Sequence, residues 1–491
     1  MRLTYLLYSI ALISLCNYSN AQSVTPTITG DVRISIKKGT FECDLTMSDI
    51  PDITDYVIRL NSGMNIRYFK DIEAPGPLYY DIDKTDTLSY GETIAYYLHE
   101  NIGNRGRYLP KNLKLKYGGM YPVIPDSAGG YMSQDWRGNV AFNGYSLRVD
   151  GFQAAWYPVL FDKKKQVEYH KVNYNITITC QDCKVLFVNG SDPIRGVHAT
   201  FKSDEPREMA LYCGDFEAVE LKNTWILNPD MNKLEQKDFL NVTNSFKNYY
   251  EKNLSIPFKG NMTFVQTTPV ASPDIHAFAF VVSPTILNVG IGQYGMRAMF
   301  DEASGLSQKK TIAHELAHYY FGTTLHLNSD FGPVISEGFA EYLALKAIKN
   351  TVGGKSFEEL VKTKLDALKN RPFTPFSLIQ SEKDFRIREY YVYYYAPILF
   401  LAIEEEIGER QMWKWLRTII SSNPPFTNYA FLEDTFKQSI SDPVVAQKVI
   451  NKYFTSNNAL FEASKLIAGQ TDKNSIKINS QPCIKLNSLF F

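Results

Sequence analysis

The feature that most constrains this chain is the segment TIAHELAHYYFG, residues 311–322, followed by SEGFAEY, residues 336–342. Neither Gly nor Pro interrupts Thr311 to Phe321, and Ala313, Leu316, Ala317 and Tyr320 fall on one apolar stripe, so the spacing predicts a helix. Residues four apart on a helix share a face, roughly 6 Å apart. His314 and His318 can therefore converge on one cation, with Glu315 placed to face a water there. A third ligand has to come from elsewhere. Glu337 offers a carboxylate, with eighteen residues between it and His318, at the start of a second helical segment running to about Lys349. Zinc takes imidazole nitrogen and carboxylate oxygen, and keeps an open position when the protein supplies three ligands. The competing reading is a core helix whose two histidines are satisfied by backbone or solvent. It leaves the carboxylate at that spacing unexplained, so the metal reading, one zinc per chain, is preferred. Glu341, one turn beyond Glu337, is expected beside the ligand set or in solvent rather than within it.

With 491 residues and a formal net charge of zero, the chain can bury several cores and has no global field to draw it to nucleic acid or an acidic membrane surface. Lys163 to Lys165 is the one compact basic run and reads as a solvated turn. Arg2 precedes an apolar run from about Leu3 to Leu15 and a polar stretch ending Ser19-Asn20-Ala21, the layout of a secretory signal cleaved after Ala21. A membrane anchor would need roughly 20 apolar residues, and no stretch reaches that length. Lipidation at Cys16 is disfavoured by the bulky Leu15 before it. The expectation is an exported protein, periplasmic or extracellular, without a stable membrane span. Export permits disulfides. Six cysteines less Cys16 leave five, an odd number, and Cys180 and Cys183 stand at a spacing read as a small structural disulfide at a strand turn.

From Val24 to about Leu221 the pattern is strand-like, with ITGDVRISI and KVNYNITITC alternating apolar and polar residues between turn clusters. Residues 22–222 are expected to form an all-β sandwich, and residues 223–465 a mainly helical domain of α+β type. Leu234, Phe239, Val242, Phe246 and Tyr249 predict one face of a helix ended by Pro257. MTFVQTTP and HAFAFVVSP predict strands, the second apolar enough to be buried. VGIGQYG, ending at Gly295, is expected to turn, and lacks the Lys and Ser/Thr of a phosphate loop. Helical spacing then marks Ser356–Leu368, Tyr390–Ile407, Gln411–Ile420 and Phe431–Phe454, and residues 466–491 read as a weakly packed tail.

This set of motifs resembles the membrane alanyl aminopeptidase and leukotriene hydrolase family of gluzincin zinc peptidases. Trp156-Tyr157-Pro158, Val188-Asn189-Gly190, Gly214-Asp215-Phe216, HELAH with its spaced Glu337, and Tyr393-Tyr394-Tyr395-Ala396-Pro397 follow in the family's order. The resemblance covers roughly residues 25 to 460. It implies a β-saddle domain followed by a thermolysin-like domain, zinc on His314, His318 and Glu337, and Glu315 as general base. It also implies a tyrosine on the oxyanion, assigned to Tyr393 with Tyr394 and Tyr390 as alternatives, and a peptide or protein substrate. Ala396 replaces the family's usual glycine.

One departure bears on specificity. The family's exopeptidases hold the substrate amine with a glutamate in a Gly-x-Met-Glu-Asn strand. The stretch read as corresponding, residues 290–295, contains no carboxylate, and Gln293 is the candidate substrate-binding residue there. A desolvated ammonium needs a strongly polar or anionic partner. Hence the expected function is an aminopeptidase-like zinc metallopeptidase with N-terminal specificity in question. The alternatives are a peptide- or protein-binding member of the same fold, catalytically reduced, and an epoxide or other hydrolase using the same site.

Overall fold

A computed structural model describes residues 24–86, 93–124, 140–152, 154–267, 278–290, 292–325 and 327–471. The expected export signal with Cys16, together with His276, His326, Cys483 and the last twenty residues of the expected tail, lies outside the described residues.

The alternating segments become strands for the reason that made them visible: one face is covered and the other meets water. In Thr27–Ser35, Ile28, Val32 and Ile34 are buried while Asp31 and Arg33 are exposed. That strand pairs in parallel with Val172–Cys180, so ITGDVRISI and KVNYNITITC are neighbours despite the long interval between them. Both lie in a six-stranded sheet ordered His198–Arg207, Val172–Cys180, Thr27–Ser35, Thr40–Ser48, Leu113–Met120, Asn65–Asp71. Two five-stranded sheets complete the N-terminal half. One apolar core, including Phe41, Tyr117, Trp156 and Tyr174, lies among these sheets. The Cys180–Cys183 disulfide closes the turn into Val185–Val188, and Cys43 and Cys213 are buried thiols.

A fourth sheet carries the second half. Its order is Ala218–Leu221, Thr224–Leu227, Met262–Thr267, Thr285–Val289, Phe278–Val282. The hairpin 218–227 thus crosses residue 222, where the texture of the sequence changes. Phe278–Val282 runs antiparallel at the edge. Here the expectation is corrected: HAFAFVVSP supplies a half-exposed edge strand, and the fully buried strands are Met262–Thr267 and Thr285–Val289. A small core joins the halves, with Val185, Phe187 and Tyr212 packed among Leu227, Val265 and Leu287.

The longer helices among the described residues are α1 (Lys233–Leu254), α2 (Gly305–Ala317), α3 (Gly332–Thr351), α4 (Gly354–Leu368), α5 (Ala396–Ile407), α6 (Glu409–Ser421), α7 (Tyr429–Ser439), α8 (Pro443–Val449) and α9 (Ala459–Thr471). In α1 Asn232 caps the N-terminus and forms a capping box with Glu235. Leu234, expected inside, is exposed, and Gln236 takes the inward place in the first turn. The single segment expected over Phe431–Phe454 is broken before Pro443, where Asp442 caps a new helix, because proline's ring blocks the preceding turn. The start of the expected tail is also corrected: α9 reaches Thr471, with Leu466 and Ile467 packed against the helical core.

Candidate metal centre

The metal motif lies on α2 and α3, which pack side by side. Helix α2 starts at Gly305, earlier than the motif itself requires, and ends at Ala317, four residues short of the expected Phe321. His318 is its C-cap, and the chain turns away through Tyr319 and Tyr320 to Gly322, whose φ of +130° suits glycine. Tyr319 and Tyr320 anchor that turn by donating to the carbonyls of Pro257 and Ile256. The inward stripe of Ala313, Leu316, Ala317 and Tyr320 is buried as its spacing implies.

His314 Nε2 and His318 Nε2 stand 3.0 Å apart, and Glu337 Oε2 lies 3.2 Å from the first and 3.3 Å from the second. The opposite nitrogens face partners of their own, by a hydrogen bond in His318 and by an ion-pair approach in His314. His318 Nδ1 donates to the Phe321 carbonyl at 3.0 Å, and His314 Nδ1 is 2.9 Å from Glu341 Oε2. With Nδ1 carrying the proton in each ring, both Nε2 lone pairs and a carboxylate oxygen converge on one point. Such a set repels itself unless a cation lies between its members. Ligands about 2.05 Å from a tetrahedral ion are about 3.3 Å apart, so this spacing fits zinc.

Glu341 is fully buried, between the Lys310 ammonium at 3.1 Å and the Lys364 ammonium at 2.5 Å. Of the two expectations for it, the place beside the ligand set is the one occupied. Burial opposes a charge on His314, but Glu337 and Glu341 outweigh it and push the imidazole pKa up to about 9. Burial raises the Glu315 carboxyl above its usual range, against the pull of His314 and His318.

Tyr393 is placed by the packing of α3 against α5. A side chain on Gly338 would lie 3.1 Å from Ala396 Cβ and 3.1 Å from the Phe400 ring, so glycine permits that close approach. Immediately before α5 the chain runs through a π-turn, Tyr391–Tyr395. Tyr391 and Tyr395 point into the core, and the Tyr390 and Tyr394 rings pack on each other with centroids 5.2 Å apart. Tyr393 faces the metal ligands, its ring centroid 5.7 Å from that of His314. Burial and Glu337 push its phenol well above the usual range, and Arg388 works in the other direction. Arg388, on the short helical turn Arg388–Tyr390 and marked by no motif, has its guanidinium 3.8 Å from Glu337 Oε1.

His314, Glu315, His318, Glu337 and Tyr393 line one cavity of about 470 Å³. Gln293 does not join them: it is exposed on a single turn, Gly292–Tyr294, and the facing wall is built by Ala279–Ser283 at the sheet edge. Asn189 of the Val-Asn-Gly turn ties the halves together there, donating to Ser283 O at 3.1 Å and accepting from Thr285 at 2.6 Å. His198 stands apart, bonded to Thr179 on the neighbouring strand. No cue marked the contribution of His170, Lys171, Arg207 and Glu208 from the N-terminal half, which the cavity brings to the same site.

No family model and no curated protein matches the sequence. Solved structures do match its shape. The M1 zinc metallopeptidase from Deinococcus radiodurans superposes with a TM-score of 0.55 at 12% identity, over 89% of this chain and 94% of that one. This chain has the M1 metallopeptidase fold. Yeast LTA4 hydrolase in complex with bestatin (TM-score 0.57) and in its native form (0.56) match at 13% identity, over 87% of this chain and 66% of theirs. The M1 fold accounts for the order of the elements, a β-rich half followed by a helical one that carries the HELAH helix. No helix among the described residues is long and apolar enough to cross a membrane.

Proposed function

We propose that the protein is an exported zinc metallopeptidase. The observation that carries the reading is the convergence of two imidazole lone pairs and the Glu337 carboxylate in a cavity that also holds Glu315 and Tyr393. A zinc ion bound there would polarise a scissile carbonyl and bring the pKa of water in its open position to about 7. Glu315, buried and with a raised pKa, is suited to take a proton from the attacking water and pass it to the leaving amine. The Tyr393 phenol, kept protonated, donates to the oxygen on which negative charge develops. Lys364 steadies that phenol's backbone by donating to the Tyr393 carbonyl at 2.6 Å. The residue pattern of 1–21 supports export, and the Cys180–Cys183 disulfide suits an oxidising compartment.

The edge strand Phe278–Val282 contains no acidic residue, which favours a cleft not restricted to free N-termini. The test compares one peptide with a free and an acetylated N-terminus, on zinc-loaded wild type and on Glu315→Gln. Cleavage of both, abolished by the substitution and by chelation, is the expected result. Cleavage of the free peptide alone would make the protein an aminopeptidase. Failure to cleave either with zinc bound would overturn the peptidase reading.

A further inference from the structure

The cavity wall supplied by the N-terminal half carries its own charge pattern. Strands Val172–Cys180 and His198–Arg207 pair with Val172 opposite Arg207, so Lys171 and Arg207 come to the cavity from adjoining strand ends. Arg207 is already paired outward, with the exposed Glu205 at 2.6 Å. Lys171 is different. It is largely withdrawn from water, and its ammonium has the Thr323 carbonyl at 3.5 Å as its contact, with no carboxylate at ion-pair distance among the described residues. Thr323 follows the HELAH helix and lines the cavity too, which places the Lys171 ammonium at the rim of the metal site.

Glu208, on the same wall, favours the Lys171 ammonium but is not at ion-pair distance from it. Its Oε1 is taken by the backbone N–H groups of Gly151 at 3.1 Å and Phe152 at 2.7 Å. Burial and the neighbouring Asp150 raise its pKa, against the pull of those two N–H groups and of Lys171. The facing strand, Ala279 to Ser283, offers no acid. A cation withdrawn from water is stabilised by an anion brought into contact with it, and no described carboxylate makes that contact with Lys171.

We propose that Lys171 binds a carboxylate of the substrate, so that the site selects peptides carrying an anionic group close to the bond it acts on. The inference rests on reading the cavity as a peptide site. The carboxylate can be an Asp or Glu side chain or a peptide C-terminus; the chemistry at Lys171 is the same.

The experiment uses full-length, zinc-loaded Glu315→Gln and four labelled, N-acetylated peptides of one sequence. A central residue is Glu or Gln, and the C-terminus is free or amidated. Fluorescence anisotropy is expected to show the Glu peptide binding about ten-fold tighter than its Gln twin, as a charge-assisted contact implies. A preference following the free C-terminus instead identifies that carboxylate as the ligand. Adding Lys171→Met should erase the preference and leave the neutral peptide's affinity within about two-fold, while Lys171→Arg should retain it. Raising the salt should shrink the preference in the parent protein, which tests the charge without any change at Lys171. Equal binding of all four peptides, no binding of any, or a preference surviving Lys171→Met would overturn the inference. Cleavage by wild type is scored separately. Charge-selective binding without cleavage refutes the peptidase reading and leaves the role of Lys171 standing; cleavage with no charge preference does the reverse.

Discussion

Glu341 joins two things that one substitution can separate: the orientation of a metal ligand and the neutralisation of two buried ammonium groups. Its Oε2 is 2.9 Å from His314 Nδ1, and its Oε1 receives Lys364 at 2.5 Å and Lys310 at 3.1 Å. Glu341→Gln keeps the shape and removes the charge. Loss of the carboxylate behind a ligating histidine typically weakens metal binding by about 10–100-fold, or about 1.4–2.7 kcal/mol. The lysines respond separately. Lys364 is 7% exposed, and burial already holds its pKa down to about 8 with the carboxylate beside it. Removing one partner of a buried pair costs about 3–5 kcal/mol, less here where Lys364 sheds its proton. The expected result is thus a stability loss in the metal-free protein by chemical denaturation and, independently, weaker zinc binding in competition with a chelator of known affinity. Adding Lys364→Met should recover part of the stability and none of the zinc affinity. The reasoning is refuted if Glu341→Gln binds zinc within about two-fold of wild type, which would make the residue purely structural.

Tyr393→Phe should lower kcat on a cleaved peptide by about 100-fold with zinc content unchanged, the loss expected for one donor to an oxyanion; equal kcat would remove Tyr393 from that role. Gly338→Ala should cost about 1–3 kcal/mol in denaturation, because its methyl meets Ala396 and the Phe400 ring at 3.1 Å, and a neutral result would mean that α3 and α5 can separate freely. Asp83 gives a pH signature. Burial would raise its carboxyl, but donors from Lys163, Thr85 and Arg107 outweigh it and hold the group below the usual carboxylate range. A depressed folded-state pKa contributes stability above about pH 4 that is lost as pH falls through the folded value. Asp83→Asn should therefore unfold at a lower temperature than wild type at pH 7, with the two melting curves converging towards pH 2; a constant gap would exclude this linkage.

The convergence of the candidate ligands was legible in the sequence because helical periodicity puts His314 and His318 on one face, and Glu337 opens a second segment of the same kind. The two long alternating strands were legible for a similar reason, since burial on one side writes a period of two into the residues. Periodicity is local, however, and says nothing about which distant segment is covered by which. That is why it gave HAFAFVVSP a buried place when the adjacent TILNV is the more buried strand, and why periodicity could not choose among the tyrosines of 390–395, where the family resemblance pointed to Tyr393 with Tyr394 and Tyr390 as alternatives. Gln293 was proposed by position along the chain, and the sheet put a different strand beside the metal site. Lys171, Arg207 and Glu208 had no motif to announce them, because the contact between the two halves, not any local pattern, brings their charges to the cavity. The sequence by itself determined the chemistry of the candidate metal ligands, through the spacing of His314 and His318 on one helix and of Glu337 on the next. The tertiary structure alone decided what surrounds them, because the wall of a cleft is made by segments that meet only when the cores on either side of it have formed.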